Sequence, residues 1–397
     1  MRRTDWRRSS GGRRAQAVLA LLVGWLMANS AGAEAPAPPP FYAIDNVRVV
    51  TGTGETLESA TVLIADGLIE AVGTSVEIPG DAWVINGEGL TLYPGLIDGF
   101  SALGQKQEEE STQGAGRGES GAPPGGGPQI RGPEDRPETT PWVSAADSLS
   151  DDSRIGKWRE AGFTAALSAP REGLFAGQAA LISLGEVEPR ERVIADGVAQ
   201  RLNFRSAARR SFPGSLMGVL SYIKQTLSDA DHYTEVRTRY EAAPLGRERP
   251  TYDRALAPLA EAVTAGRPFL MPADTAVEID RVLALGTEYE LNTVIYGGQG
   301  AYARADKLAA AGTPVLVNLD WPEAEKDRDP DADTPFRTLY HRRLAPTTPQ
   351  VLAAAGVPFA FYAGGLSSPS KIFDKLRQAI DAGLDADDAL SALTSDA

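Results

Sequence analysis

The chain contains no cysteine and only two histidines among its 397 residues. The absence of cysteine excludes disulfides, thiolate metal sites, a cysteine nucleophile and a lipoprotein anchor. Positive charge is also scarce, because 39 lysines and arginines face 53 acidic residues and give a formal net charge of −14. An acidic surface repels nucleic acid and anionic lipid, so we expect neither as a partner.

Two common catalytic motifs are also absent. No G-x-G-x-x-G opens a helix after a strand, which argues against a dinucleotide-binding fold. No G-x-S-x-G nucleophile elbow is found either, and nothing in the sequence points to a Ser-His-Asp triad. His232 lies in a predicted helix and His341 in an arginine-rich stretch. We interpret both as structural histidines.

The first 33 residues have the composition of a secretory signal peptide. A basic region with six arginines precedes the apolar run Val18–Met27, and Ala31-Gly32-Ala33 supplies small residues for cleavage. The apolar run is too short to span a bilayer stably, and a retained N-terminal anchor is the alternative. We therefore expect an exported protein, periplasmic or secreted, with no membrane attachment after cleavage. Residues 34–40 form a proline-rich spacer.

The rest of the chain divides by its pattern into two domains of an α/β protein. Residues 41–92 contain short strands separated by glycine and aspartate turns, with a hairpin predicted at Asp66-Gly67, and indicate a small β-sandwich. Residues 93–397 alternate between helical and strand patterns, which predicts a parallel sheet closed into a (β/α)₈ TIM-like barrel. Within it, residues 105–140 are rich in Gly, Pro, Glu and Gln and predict a disordered insertion.

Several motifs carry a resemblance to a known family. A D-G-L-I hairpin at 66–69 is followed by P-G-L-I-D at 94–98, and this order resembles the N-terminus of the amidohydrolase superfamily. The imidazolonepropionase-like and dihydroorotase-like branch is the most similar. Glu160–Thr164 and Ala389–Ala397 resemble two further family motifs, so the similarity covers nearly all of the chain after the signal peptide. It implies a barrel with a composite β-sandwich, and hydrolysis of amide, cyclic amide or dipeptide-like C–N bonds.

The resemblance also implies where a metal would lie. Family members bind zinc or another divalent metal through histidines and carboxylates at the ends of the barrel strands. In this chain those positions fall on Phe100, Ala102, Pro272, Gly297 and Gly364. None of these side chains binds a divalent metal, so we predict no metal ligand, no catalytic residue at the family positions and no cofactor. Asp98, Asp274 and Tyr296 remain the candidate pocket residues.

Three interpretations stay open. The chain is a homologue with a degenerate metal site, acting as a ligand-binding protein or as a subunit that pairs with an active paralogue. Alternatively, it is an active C–N hydrolase that uses unrecognised residues such as Asp274 with Asp98 and a labile metal. Third, the chain stops at Ala397, where the family's segment completing the sandwich is expected, so the sequence is a truncated fragment. The expected partners are a small-molecule ligand and, for assembly, a second copy or an active paralogue.

Overall fold

The computed structural model describes residues 41–52, 54–105, 135–205, 212–324, 333–366 and 368–397. The predicted signal peptide and spacer, residues 1–40, lie outside the described residues, as does most of the predicted insertion, residues 106–134. The described chain divides into two compact units. Residues 41–49 and 57–92 belong to the first, and residues 50–56 and 93–397 to the second.

The first unit contains a five-stranded sheet. Its strands are β1 (Phe41–Val50), β2 (Thr56–Ala65), β3 (Leu68–Gly73), β4 (Trp83–Asn86) and β5 (Thr91–Leu92). The order is β3-β2-β1-β4, and β5 pairs with β1. The predicted hairpin is confirmed: Asp66 and Gly67 form a two-residue turn with positive φ angles of 49° and 78°. This is the conformation that an Asp-Gly pair adopts most readily.

The second unit contains an eight-stranded sheet. Its strands are β6 (Leu96–Ser101), β7 (Phe163–Ser168), β8 (Phe175–Ser183), β9 (Val193–Leu202), β10 (Phe269–Ala273), β11 (Thr293–Gly297), β12 (Val315–Asn318) and β13 (Phe359–Tyr362). They are ordered as they occur in the chain. The Ala363 amide donates to the Asp98 carboxylate at 3.0 Å, which brings the end of β13 to β6. The sheet is thus a nearly closed barrel, as predicted.

The barrel closes through contacts other than a regular strand ladder. The Ile97 amide donates to the Leu393 carbonyl at 2.8 Å, and the Phe361 amide donates to the Ala392 carbonyl at 2.9 Å. Residues near the C-terminal end of the chain therefore bridge β6 and β13. Gly99 lies against the Phe361 carbonyl, and an added Cβ would approach that oxygen to 2.9 Å. The residue directly after the P-G-L-I-D motif is therefore a glycine at a position where a side chain would not fit.

One strand departs from the predicted parallel arrangement. Strand β8 runs antiparallel to both β7 and β9, whereas the other neighbouring pairs of this sheet are parallel. The connection between Ser168 and Phe175 is too short for a parallel crossover, which needs about a dozen residues. The chain therefore turns back at this point as a hairpin.

The helices lie mainly after β9. They are α1 (Ser153–Glu160), α2 (Leu216–Ala242), α3 (Leu256–Thr264), α4 (Ala276–Glu288), α5 (Ala305–Ala311), α6 (Phe336–Leu344), α7 (Thr348–Ala354), α8 (Pro369–Asp381) and α9 (Ala386–Ser391). Their apolar residues and those of the strands form one large core, which includes Phe163, Phe269 and Phe361. Across the described residues, no helix combines the length and the apolar character needed to cross a membrane.

The predicted disordered insertion, residues 105–140, includes ordered residues at both of its ends. Gln105 is buried and donates from Nε2 to the Ala145 carbonyl at 3.0 Å and to Ser168 Oγ at 3.1 Å. Thr139 is fully buried and shares a 2.6 Å hydrogen bond with the Tyr222 hydroxyl. The Thr140 amide donates to the Phe175 carbonyl at 2.9 Å. A polar composition predicts disorder only when the polar groups lack hydrogen-bond partners. These residues have partners in the folded structure, on β7, β8, α2 and the segment before α1.

Candidate functional site

The interior of the barrel is filled by aromatic rings. Phe100 of β6 stacks on Tyr296 of β11 with 4.4 Å between ring centroids and 23° between planes. It meets Tyr362 of β13 edge-on, at 5.4 Å and 89°. All three residues are buried, and Ala169, Ala179, Ala199 and Leu270 pack around them. These small neighbours leave room for the rings, whose offset and edge-on contacts are the favourable geometries for aromatic pairs.

A cation completes this packing. The Arg201 guanidinium of β9 lies 4.8 Å from the Phe100 ring centroid and 5.4 Å from that of Tyr296. Its Nη1 donates to the Pro170 carbonyl at 2.8 Å, while its Nε is buried and finds no hydrogen-bond partner in the described structure. Phe100, Arg201, Tyr296 and Tyr362 are called the aromatic–arginine cluster below. A guanidinium held over two ring faces gains cation–π attraction, which grows as water is removed.

The tyrosine hydroxyls of the cluster stay protonated. Burial raises the pKa of Tyr296, which the positive charge of Arg201 partly offsets. Burial also raises the pKa of Tyr362, and the negative charge of Asp274 adds to that effect. The Tyr296 hydroxyl donates to Asn203 Oδ1 at 2.8 Å. The Tyr296 hydroxyl therefore acts as a hydrogen-bond donor, and neither hydroxyl is suited to act as a base at neutral pH.

A cleft of about 840 Å³ opens at the carboxyl ends of β9, β10 and β11. The β7–β8 loop, the N-terminus of α2 and the first turns of α4 form its other walls. Its lining comprises Arg171, Glu172, Gly173, Asn203, Phe204, Arg205, Pro213, Gly214, Ser215, Leu216, Val219, Pro272, Ala273, Asp274, Glu278, Arg281 and Tyr296. Active sites of TIM-barrel proteins lie at this end of the strands.

Asp274 is the acid that follows β10 in this cleft. Its pKa is raised chiefly by partial burial and then by the nearby charge of Glu278, while the Gln299 amide, His341 and Arg205 pull it down. The carboxylate lies over Gly297, whose positive φ of 107° and missing Cβ leave space for it. Asp274 thus keeps a raised proton affinity beside positive charge.

Glu278 also lines the cleft, but its carboxylate has a structural task. It accepts hydrogen bonds at 3.0 Å from the backbone amides of Asp274 and Thr275. The Thr275 side chain accepts in turn from the Glu278 amide and completes a capping box at the start of α4. The cap fixes the turn that carries Asp274 at the end of β10.

The cleft contains two of the three candidate pocket residues and leaves out the third. Asp274 and Tyr296 both line it. Asp98 lies elsewhere, with only 1% of its surface exposed. It accepts hydrogen bonds from Trp158 Nε1 at 3.3 Å and the Ala363 amide at 3.0 Å, and burial raises its pKa to about 6. The structure therefore gives no support to a site made of Asp98 and Asp274 together.

The five positions carried over from the family have different surroundings. Phe100 belongs to the aromatic–arginine cluster, and Pro272 lines the cleft. The carbonyl of Ala102 accepts from Arg154 Nη2 at 2.9 Å. Gly297 lies beside Asp274, and Gly364, with a φ of 62°, packs against the Asn318 carboxamide. In the part of the chain described, no three His, Asp or Glu side chains approach one another closely enough to hold a metal ion. The residues at these positions do not fit a divalent metal.

Sequence reasoning missed the arginines of this region. Arg201 belongs to β9, which the pattern did not predict, because its apolar residues do not alternate and Asp196-Gly197 looks like a turn. Arg171, Arg205 and Arg281 come from three separate segments, and no short motif links them. His341, interpreted as structural, lies in α6 with its ring 6.4 Å from that of Tyr302. His232 lies in α2, as expected from the helical pattern.

We compared the chain with known protein families, curated proteins and solved structures. No family model matches the chain, and no curated protein matches it. Among solved structures, an amidohydrolase from Thermotoga maritima is 22% identical, with a TM-score of 0.72 over 89% of this chain and 87% of that chain. A Xaa-Pro dipeptidase with bound methionine is 15% identical, with a TM-score of 0.49 over 89% and 86%. A molinate hydrolase is 14% identical, with a TM-score of 0.46 over 90% and 84%. The similarity to the Thermotoga maritima amidohydrolase shows that the chain has the same fold as that protein, as its motifs predict.

Proposed function

We propose that this chain is a small-molecule-binding protein built on the amidohydrolase fold, and that it does not carry out metal-dependent hydrolysis. One observation carries the proposal: the aromatic–arginine cluster occupies the barrel interior. Phe100 stands at the first histidine position implied by the family resemblance, and its ring stacks on Tyr296 and meets Tyr362 edge-on.

The cluster opposes a metal in two ways. Its rings fill space with atoms that donate no electron pair to a cation. The Arg201 guanidinium also places a permanent positive charge 4.8 Å from the ring of Phe100, the first of the five family positions. Like charges at such separations repel strongly in a site with little water. Loss of a single ligand could be compensated by water, but none of the five family positions carries an imidazole or a carboxylate.

The cleft is the place where a ligand would bind. Its volume of about 840 Å³ is within the range of small-molecule sites in proteins. Its lining mixes charged side chains with apolar ones such as Phe204, Leu216 and Val219. Such a mixture suits a metabolite with both polar and apolar parts.

A second candidate function is hydrolysis of C–N bonds without a metal. One observation favours it: Asp274 lies in the cleft with a raised pKa, close enough to His341 and Arg205 for their charges to act on it. A carboxylate with raised proton affinity is a candidate general base. The Asp274→Asn variant separates the two functions, since it would abolish hydrolysis but leave a binding protein folded and able to bind.

The test is made on the purified full chain supplied with zinc or manganese and then desalted. Metal content is measured by mass spectrometry, and turnover is assayed with panels of cyclic amides and dipeptides. Binding of the same compounds is followed by thermal shift. We expect far less than one metal per chain, no turnover, and a rise in melting temperature with a subset of ligands. One bound metal per chain together with chelator-sensitive turnover would overturn the proposal.

We further propose that the protein is exported and that residues 1–33 are removed. The composition of that segment supports the proposal, as described above. N-terminal sequencing of the product from a periplasmic fraction should begin at Glu34. An intact N-terminus on membrane-bound material would instead support a retained anchor. Association with a second copy or an active paralogue is a separate proposal, to be tested by light scattering of the purified protein.

A further inference from the structure

The cleft described above has an unusual charge arrangement for so acidic a chain. Arg171 comes from the β7–β8 loop, Arg205 follows β9, and Arg281 lies on α4, yet all three line the same cleft. None of the three guanidiniums makes an ion pair or hydrogen bond with a side chain in the described parts of the chain. Three cations on three separate segments thus line one cavity, and none of them forms an ion pair with a described residue.

Many arginines elsewhere in the structure form ion pairs with acidic side chains. Arg136 pairs with Asp253 at 2.7 Å, Arg154 with Asp152 at 2.7 Å, and Arg304 with Asp280 at 3.0 Å. With 53 acids available in the chain, carboxylate partners are not in short supply. What distinguishes the cleft is that three arginines without an ion pair among the described residues line the same cavity.

The acids of the cleft do not neutralise these arginines. Glu278 is engaged by two backbone amides of the capping box. Glu172 has an interaction partner of its own. Asp274 lies within electrostatic reach of Arg205 but forms no ion pair with it in the described structure. The guanidinium donors consequently remain available to a ligand.

The N-terminus of α2 adds a second source of positive potential. This helix has 27 residues, and Ser215 at its N-cap lines the cleft together with Gly214 and Leu216. The Ser215 hydroxyl accepts from the Gly218 amide at 3.2 Å, which caps one free N–H group. Helix N-termini attract anions through their unpaired amides and aligned peptide dipoles.

We propose that the cleft binds a ligand through an oxyanion group, a carboxylate or a phosphate, held by Arg171, Arg205 and Arg281. The inference rests on the proposed ligand-binding function and names the chemical class of the ligand. Arginine suits this task because its planar fork matches the oxygens of both groups with paired hydrogen bonds. The two ligand classes differ in geometry and charge, and separate arms of the experiment distinguish them.

The experiment uses isothermal titration calorimetry on the full chain at low ionic strength and neutral pH. One arm titrates inorganic phosphate and the other citrate. We expect saturable binding of at least one anion, which weakens as sodium chloride screens the charges. The tighter of the two anions then identifies the class. The absence of binding by either anion at millimolar concentration would overturn the inference.

Single variants locate the binding. Arg205→Gln and Arg281→Gln should each reduce the affinity for the anion by roughly tenfold or more, the usual loss when a charged hydrogen-bond donor is removed. Arg237→Gln is the matched control, because Arg237 lies on α2 outside the cleft and pairs with Glu241. Its affinity should equal that of the wild type. Equal affinity in all three variants, each with wild-type circular dichroism, would overturn the assignment to this cleft.

A further variant tests whether charge in the cleft, and not only its packing, sets the affinity for anions. Asp274→Asn removes negative charge near Arg205 and should strengthen anion binding, on the order of tenfold at low salt. Weaker or unchanged binding in this variant would contradict the electrostatic argument. Failure of the two proposals is distinguishable. Binding of neutral ligands only would overturn the anion site alone, whereas metal-dependent turnover with a KM raised in Arg205→Gln would overturn the proposed function and keep the anion site.

Discussion

Asp98 offers a quantitative test of the barrel's electrostatics. It belongs to the strand that leads the chain into the barrel, and only 1% of its surface is exposed. No cation pairs with it among the described residues; its partners are the Trp158 indole and the Ala363 amide. We predict that the stability of the Asp98→Asn variant, measured relative to the wild type, increases from acidic to neutral pH.

The magnitude follows from the shift in proton affinity. Burial raises the pKa of Asp98 from 3.8 to about 6. Each pKa unit corresponds to about 1.4 kcal/mol, so ionising Asp98 costs about 3 kcal/mol more in the folded chain than in the unfolded chain. Because the pKa is higher in the folded chain, stability from this group is complete below pH 3.8 and is lost as pH rises through about 6. Asparagine has no proton to lose and removes this dependence.

The assay is urea unfolding of wild type and Asp98→Asn at several pH values between about 4 and 7, the window set by the two pKa values. Tryptophan emission is a suitable probe because Trp158 donates directly to Asp98. Loss of that hydrogen bond shifts the variant by an amount independent of pH. The difference in unfolding free energy between the two proteins should therefore change by about 2.4 kcal/mol in favour of the variant across this window.

A control variant should show the opposite trend. Burial alone would raise the pKa of Asp152, but hydrogen bonds from Arg154 and Gly104 lower it. Stability from Asp152 is thus present at neutral pH and lost in acid, and Asp152→Asn should destabilise the chain more at pH 7 than at pH 4. If the curves for Asp98→Asn and wild type ran parallel over the whole window, the account of a buried, weakly charged Asp98 would be refuted.

Three further substitutions test packing and local geometry by their effect on unfolding free energy. Phe100→Ala should cost about 3–5 kcal/mol by opening a cavity in the aromatic–arginine cluster; Phe336→Ala, at a site that is 78% exposed, should cost almost nothing, and equal losses would contradict the packing argument. Gly364→Ala should cost more than Gly312→Ala, because both have positive φ but only Gly364 packs against a side chain; equal costs would leave strain as the sole term. Glu278→Ala should lose about 1 kcal/mol with its capping bonds, and no loss would show that the cap is dispensable.

Local features of the fold were predictable because their causes are local. The Asp66-Gly67 turn follows from two residues that tolerate positive φ, and the structure has both in that conformation. The direction of β8 was not predictable, because an apolar strand reads the same whichever way it runs. Only the length of the connection from Ser168 to Phe175 carries that information, and it was obscured by uncertain strand boundaries.

The aromatic–arginine cluster could not be predicted for a different reason. The sequence identified Phe100 as a lost ligand position and Tyr296 as a pocket residue, yet it gave no indication that their rings touch. Their contact depends on the register of β6, β11 and β13 around the barrel. Arg201 was missed because β9 itself was not predicted. Residues that meet across a barrel are far apart in the chain, so their spacing carries no signal.

The aromatic–arginine cluster places a cation, as well as aromatic rings, inside the barrel. In a metal hydrolase, the ion both attracts an anionic group and lowers the pKa of a bound water to make a nucleophile. In this chain, the fixed positive charge at the barrel interior comes from Arg201, and more positive charge lines the cleft above Tyr296. A guanidinium attracts oxyanions but is not a Lewis acid and cannot activate water in that way. Under the proposed function, Arg201 and the arginines of the cleft would attract an anionic ligand without supplying a metal-bound nucleophile.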